Sequence, residues 1–125
     1  MTEKLKILIV DDDLDLVEST KLMLESDGYF VISAYEPDSV LYIAEKERPA
    51  LIILDIMFGA SEEINGTDLL RQLKSKKGLE SIPVLMISSM SLETAKGLAV
   101  DGFIDKPARQ DVLLGKVKEV LNRNE

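Results

Sequence analysis

Three kinds of side chain in this 125-residue sequence could carry chemistry, at positions that only folding would bring together. Asp11, Asp12 and Asp13 follow a short apolar run, and Asp55 sits near the end of another, Leu51-Ile52-Ile53-Leu54-Asp55-Ile56-Met57. Ser88 and Ser89 follow Ile-Pro-Val-Leu-Met-Ile, and Lys106 follows Gly-Phe-Ile-Asp. There is no His and no Cys, so imidazole bases, thiol nucleophiles and thiolate metal sites are excluded. What remains is the chemistry of carboxylates, hydroxyls, Lys, Arg or the backbone. Two carboxylates about 4 Å apart repel by roughly 4 kcal/mol at an effective dielectric near 20, so gathered acids either take up a proton or bind a cation. All-oxygen donors suit Mg²⁺, which uses one or two protein carboxylates and commonly a phosphate oxygen. Lys106 is a point charge suited to phosphate, and the Ser88 hydroxyl can donate to a phosphate oxygen; Ser89 offers the same group. Carboxylates are competent nucleophiles in phosphoryl transfer, and Mg²⁺ and Lys106 would neutralise charge on the moving group.

These residues need a scaffold that ends its strands at one rim. Leu5 to Val10 reads as a buried strand that stops at the aspartates. Leu14 to about Asp27 is predicted to be a helix, with Leu14, Val17, Leu22 and Leu24 as its apolar residues and Asp27-Gly28 as its stop. Phe30 to Tyr35 is a second strand, and Glu36-Pro37-Asp38 opens a helix to about Glu47 that Arg48-Pro49 ends. Ala50 to Leu54 is a strand without polar alternation, as expected when both faces are covered. After a long connection, Phe58 to Asn65, a helix runs from Gly66 to about Ser75. Ile82 to Ile87 forms the fourth strand, Leu92 to about Ala99 a short helix, Gly102 to Asp105 the fifth strand, and Arg109 to about Leu121 the last helix, with Val112, Leu113, Val117, Val120 and Leu121 inward. Alternating strands and helices imply right-handed crossovers and a doubly wound parallel sheet in an α/β fold. With connections this short, residues 1–125 are expected to be one domain. In a parallel sheet every strand ends at the same edge, where ligands gather.

The charge balance limits the partners. With 23 acidic and 15 basic residues the net charge is −8, which argues against direct nucleic-acid binding and against anionic membranes. The N-terminus is too soon charged for a signal peptide, and no stretch has the length of a membrane span. A cytoplasmic setting is expected, and the lack of Cys is compatible with it.

The ordered set Ile-Leu-Ile-Val-Asp-Asp-Asp, Leu-Ile-Ile-Leu-Asp-Ile-Met, Pro-Val-Leu-Met-Ile-Ser-Ser and Gly-Phe-Ile-Asp-Lys-Pro resembles a response-regulator receiver domain of two-component signalling, over essentially the whole chain. The resemblance implies a flavodoxin-like five-stranded parallel sheet of order 2-1-3-4-5, with five helices on its two faces; a chemotaxis member of that family is a standard example of the order. It implies that Asp55 is the phosphoacceptor, served by a histidine kinase or histidine phosphotransfer protein. Asp11, Asp12, Asp55 and the Met57 backbone carbonyl would hold Mg²⁺. Ser88 would be the switch hydroxyl, Phe103 the switch aromatic and Lys106 the phosphate-binding lysine, with Lys106-Pro107 a cis bond. Such a domain is no enzyme in the ordinary sense; it promotes its own phosphorylation and slow dephosphorylation. Its output would be a separate domain or target protein, or a phosphorylation-dependent dimer.

Two stretches depart from the family pattern. The connection Phe58 to Asn65 is longer than usual, lacks the customary Pro and carries Glu62 and Glu63. The interval from Ser88 to Lys106 is shorter by about one helical turn, ~3.6 residues, which counts against the standard dimer. Other readings of the residues are available. The aspartate triplet could be a solvated turn, with Asp13 capping the following helix or assisting the site from behind its ligands, Phe103 could simply be core, and Lys106 could be a surface lysine. A haloacid-dehalogenase-type phosphohydrolase would use Asp11 as its nucleophile, but the required Gly after the triplet and the late acidic pair are missing. A receiver-like scaffold that is never phosphorylated is the third reading.

Overall fold

In the computed structural model, residues 4–55, 66–88, 100–106 and 108–123 are described. The chain runs β1 (Lys6–Val10), α1 (Leu14–Ser26), β2 (Phe30–Ala34), α2 (Pro37–Glu47), β3 (Leu51–Asp55), α3 (Gly66–Ser75), β4 (Val84–Ser88), β5 (Gly102–Asp105) and α4 (Gln110–Arg123). The strands form one parallel sheet in the order β2-β1-β3-β4-β5. This is the flavodoxin-like doubly wound fold expected. The helix expected over 92–99 lies outside the described residues.

Strand periodicity divides the core in two. Leu8, Val10, Ile52, Leu54, Val84 and Met86 face Val40 and Ala44 of α2 and Leu69, Leu70 and Leu73 of α3. Ile7, Ile9, Leu51, Ile53, Leu85 and Ile87 face Val17 and Leu24 of α1 and Leu113, Val117, Val120 and Leu121 of α4. Adjacent residues on one strand point to opposite faces, so β3 is buried throughout.

Two helix faces and several strand ends differ from the sequence expectation; β1 starts at Lys6, not Leu5, and β2 ends at Ala34, not Tyr35. In α1, Leu14 and Leu22 are 62% and 64% exposed, and Val17, Thr20 and Leu24 are the buried residues. Successive residues turn by about 100°, which sets Leu22 well off the stripe through Val17 and Leu24, and Leu14 opens the first turn. In α4, Val112 is 52% exposed because the inward stripe begins one residue later, at Leu113. The fourth strand begins at Val84, not Ile82. Ile82 N–H is taken by the Leu79 carbonyl, and Pro83 has no N–H for the ladder, which engages at Ile52↔Val84. Consequently Ser88 is the last residue of β4, opposite Asp105, where a position just past the strand was expected. The expected third strand, Ala50 to Leu54, likewise shifts by one, so Asp55 is the final residue of β3.

The register brings the rim together. Val10 pairs with Leu54, so Asp11 and Asp55 leave neighbouring strands side by side, at a strand spacing of about 4.8 Å.

Candidate functional site

Asp11 and Asp55 are 2% and 5% exposed, unusual for carboxylates, which are rarely buried unless paired. Their partner is Lys106, which leaves β5 across the rim. Its Nζ donates to Asp55 Oδ2 at 3.0 Å and to Asp11 Oδ2 at 3.1 Å. One ammonium therefore spans two strand ends.

The electrostatics follow from this placement. Burial pushes the Asp11 carboxyl above its ordinary value; the Asp13 N–H pulls it back, the charge on Asp55 raises it, and Lys106 lowers it. The net direction is upward, so the buried anion is incompletely compensated. For Lys106, burial lowers the ammonium's pKa, but the hydrogen bonds and charges of Asp55 and Asp11 outweigh this and leave it raised. Lys106 is protonated in this site.

Asp12 is exposed, yet its carboxylate completes a group. Oxygens of Asp11, Asp12 and Asp55 all lie within 4.8 Å of one another. Three carboxylates against one ammonium leave two negative charges, which a divalent cation would balance. The donors are all oxygen, with water access beside Asp12, and so fit Mg²⁺, which retains several waters. Asp13 is not in this group. Its side chain accepts from Leu16 N–H at 3.1 Å and caps α1.

The remaining expected site residues are less fully placed. Ser88 ends β4 beside β5, close along the rim to Lys106. Phe103 is half-buried and packs on the core shared with α2 and α3. Met57, Ser89, Pro107 and the long connection 58–65 lie outside the described residues, as do the Met57 carbonyl and the Lys106-Pro107 bond as expectations. Two features were not read from sequence. Lys106 bridges both carboxylates directly, and the Asp13 backbone N–H donates to Asp11 Oδ1 at 2.9 Å. The lysine bridge depends on tertiary register alone. The Asp13 contact had a local signal in the Asp-x-Asp spacing, since Asx side chains readily bond a backbone N–H two residues on.

A doubly wound α/β fold with buried acids and a lysine at the C-terminal rim defines a class suited to phosphoryl or divalent-cation chemistry. Comparison with known proteins narrows this. The response regulator receiver domain profile matches residues 7–118, and the chain belongs to that family. It is 34% identical over 124 residues to the alkaline phosphatase synthesis transcriptional regulatory protein PhoP of Bacillus subtilis, covering 96% of this chain and 50% of that protein. It is 29% identical to the DNA-binding response regulator MtrA of Mycobacterium tuberculosis, covering 99% of this chain and 54% of that one. The chain thus spans about half the length of these curated relatives. Among solved structures, a CheY-like receiver domain protein from Methanospirillum hungatei matches with a TM-score of 0.86 and 32% identity, over 98% of this chain and 97% of that one. The receiver domain of a signal transduction histidine kinase from Syntrophus aciditrophicus matches with 0.84 and 31%, over 94% and 89%. Receiver domains are the signalling phosphoacceptors of two-component systems. Among the described residues, no helix is long and apolar enough to cross a membrane.

Proposed function

We propose that residues 1–125 act as one receiver unit, in which Asp55 accepts a phosphoryl group from a histidine kinase or histidine phosphotransfer protein in the cytoplasm. The observation that carries this reading is the buried Asp55 carboxylate at the end of β3, 3.0 Å from Lys106 and grouped with Asp11 and Asp12. Asp55 attacks phosphorus through a carboxylate oxygen. An O–P bond forms, the P–N bond to the donor imidazole breaks, and the imidazole leaves with the electron pair and takes a proton. Lys106 follows the charge from the carboxylate to the phosphoryl oxygens. Asp11, Asp12, Asp55 and the Met57 carbonyl would hold Mg²⁺, which when bound supplies charge neutralisation on the phosphoryl oxygens. Ser88 then donates its hydroxyl to a phosphoryl oxygen, and Phe103 moves with β5, biasing a two-state equilibrium read by an output domain or target protein. A phosphorylation-dependent dimer is one form that output can take. Slow loss of the group to water resets the switch. Its net charge of −8 disfavours direct nucleic-acid binding by this domain.

Beryllofluoride with Mg²⁺, a non-covalent mimic of the phosphoryl group, tests this directly. Wild-type protein is expected to bind it, with amide shifts in β4 and β5 by nuclear magnetic resonance. Identical shifts in Asp55→Asn would sink the reading. Turnover of a simple phosphate ester that Asp11→Asn abolishes and Asp55→Asn spares would instead favour a phosphohydrolase.

A further inference from the structure

The third acid of the triplet has no part in the phosphoryl transfer, yet its backbone touches a residue that does. Asp13 sits at the N-cap of α1 with φ −85° and ψ 97°. Two bonds hold it there: its Oδ1 accepts from Leu16 N–H at 3.1 Å, and its carbonyl accepts from Val17 N–H at 3.0 Å. Capping of this kind fixes the backbone of the capping residue as well as satisfying the helix. That same residue's N–H donates to Asp11 Oδ1 at 2.9 Å. With Oδ1 engaged, the opposite oxygen of Asp11 is turned toward Lys106 and the side of Asp55. Helix cap and carboxylate orientation are thus joined through one residue.

We propose that Asp13 is a positioning residue for the cation: by capping α1 it sets the N–H that orients Asp11. This rests on reading Asp11 as a cation ligand. The charge of Asp13 is not the operative feature, because its carboxylate is spent on the helix and is not in the group formed by Asp11, Asp12 and Asp55. Groups behind a metal ligand commonly govern affinity by fixing the ligand's orientation. Here the donor is a backbone N–H, which a side-chain substitution loosens but does not delete, so the effect falls at or below the roughly tenfold lower bound typical of such groups.

The test is a calorimetric Mg²⁺ titration of the folded, unphosphorylated protein. Asp13→Ala is expected to weaken binding by about threefold to tenfold, whereas Asp13→Ser and Asp13→Asn, which retain a capping oxygen, are expected to stay within about twofold of wild type. Far-UV circular dichroism verifies folding. If Asp13→Ala does not fold, Asp13→Gly stands in, since glycine is a tolerated N-cap that offers no side-chain acceptor. Loss of stability with unchanged Mg²⁺ affinity in the uncapped variant overturns the positioning role and leaves a structural cap. Equal weakening in Asp13→Asn and Asp13→Ala also overturns it, and assigns the effect to charge. No binding by wild type would overturn the cation reading itself, which distinguishes that failure from the failure of the positioning role.

Discussion

Lys106 holds two buried carboxylates at once, so replacing it with methionine has opposite effects on stability and on cation affinity. Without the ammonium, Asp11 and Asp55 are left side by side with side chains 3% and 7% exposed. Removing one partner of a buried ion pair costs about 3–5 kcal/mol. Lys106 itself keeps 22% of its side-chain surface in water, and Asp11 can relieve part of the repulsion by taking up a proton. The expected loss in Lys106→Met without Mg²⁺ is therefore about 2–3 kcal/mol, below the fully buried range. The same change removes a positive charge beside the cation group. A unit charge about 4 Å from a divalent ion repels it by about 2 kcal/mol even in a water-like dielectric, or roughly thirtyfold in Kd. Lys106→Met is therefore expected to bind Mg²⁺ more tightly than wild type. Because ligand binding to the folded state adds RT ln(1 + [L]/Kd) of stability, the tighter-binding variant recovers more stability from a given Mg²⁺ concentration than wild type. Urea unfolding with and without Mg²⁺, together with calorimetric titration, reads both effects. If the variant is as stable as wild type without Mg²⁺, or binds Mg²⁺ no more tightly, the bridging role of Lys106 is refuted.

Three other perturbations follow from the same structure. Asp11 has its carboxyl raised above the unfolded value of 3.8, so as pH rises above 3.8 the unfolded chain ionises first and stability falls, the loss being complete above the folded value; Asp11→Asn is expected to lose Mg²⁺ binding while gaining stability at neutral pH without Mg²⁺, as urea unfolding measures. Tyr29 is also raised, from 10.0, by burial and by Asp27. As pH rises above 10.0 the unfolded chain ionises first, so this stability contribution declines, and Tyr29→Phe is expected to flatten the alkaline limb of stability against pH. Gly102 admits α4 against β5: an added Cβ would meet Leu85 Cδ1 at 3.0 Å and Val120 Cγ2 at 3.1 Å. Gly102→Ala is expected to cost about 1–3 kcal/mol in chemical unfolding, as overpacking does.

Much of this architecture was legible because each strand is an apolar run with a distinct end. Leu51 to Leu54 carries no polar residue, and that alone announced a strand covered on both faces. The acids, the serine and the lysine stand at strand ends, where a parallel sheet must gather them. Helix faces were harder to read. Leu14, Leu22 and Val112 counted as inward by hydrophobicity, but helix geometry sets Leu22 and Val112 off the buried stripes and leaves Leu14 in the exposed first turn. Apolar character extends through Ile82 and Pro83 and so does not mark the start of β4, whereas the ladder needs the N–H that Pro83 lacks. Which carboxylates Lys106 would meet depends on register between strands distant in sequence, and no local pattern encodes it. The orientation of Asp11 was closer to hand, in a turn only two residues long.

Mass spectrometry of the protein after incubation with acetyl phosphate and Mg²⁺ tests the role of Asp55 most directly. One phosphoryl group is expected on the peptide containing Asp55, dependent on Mg²⁺ and absent from Asp55→Asn. A phosphoryl group on another residue, or the same modification in Asp55→Asn, would contradict the account.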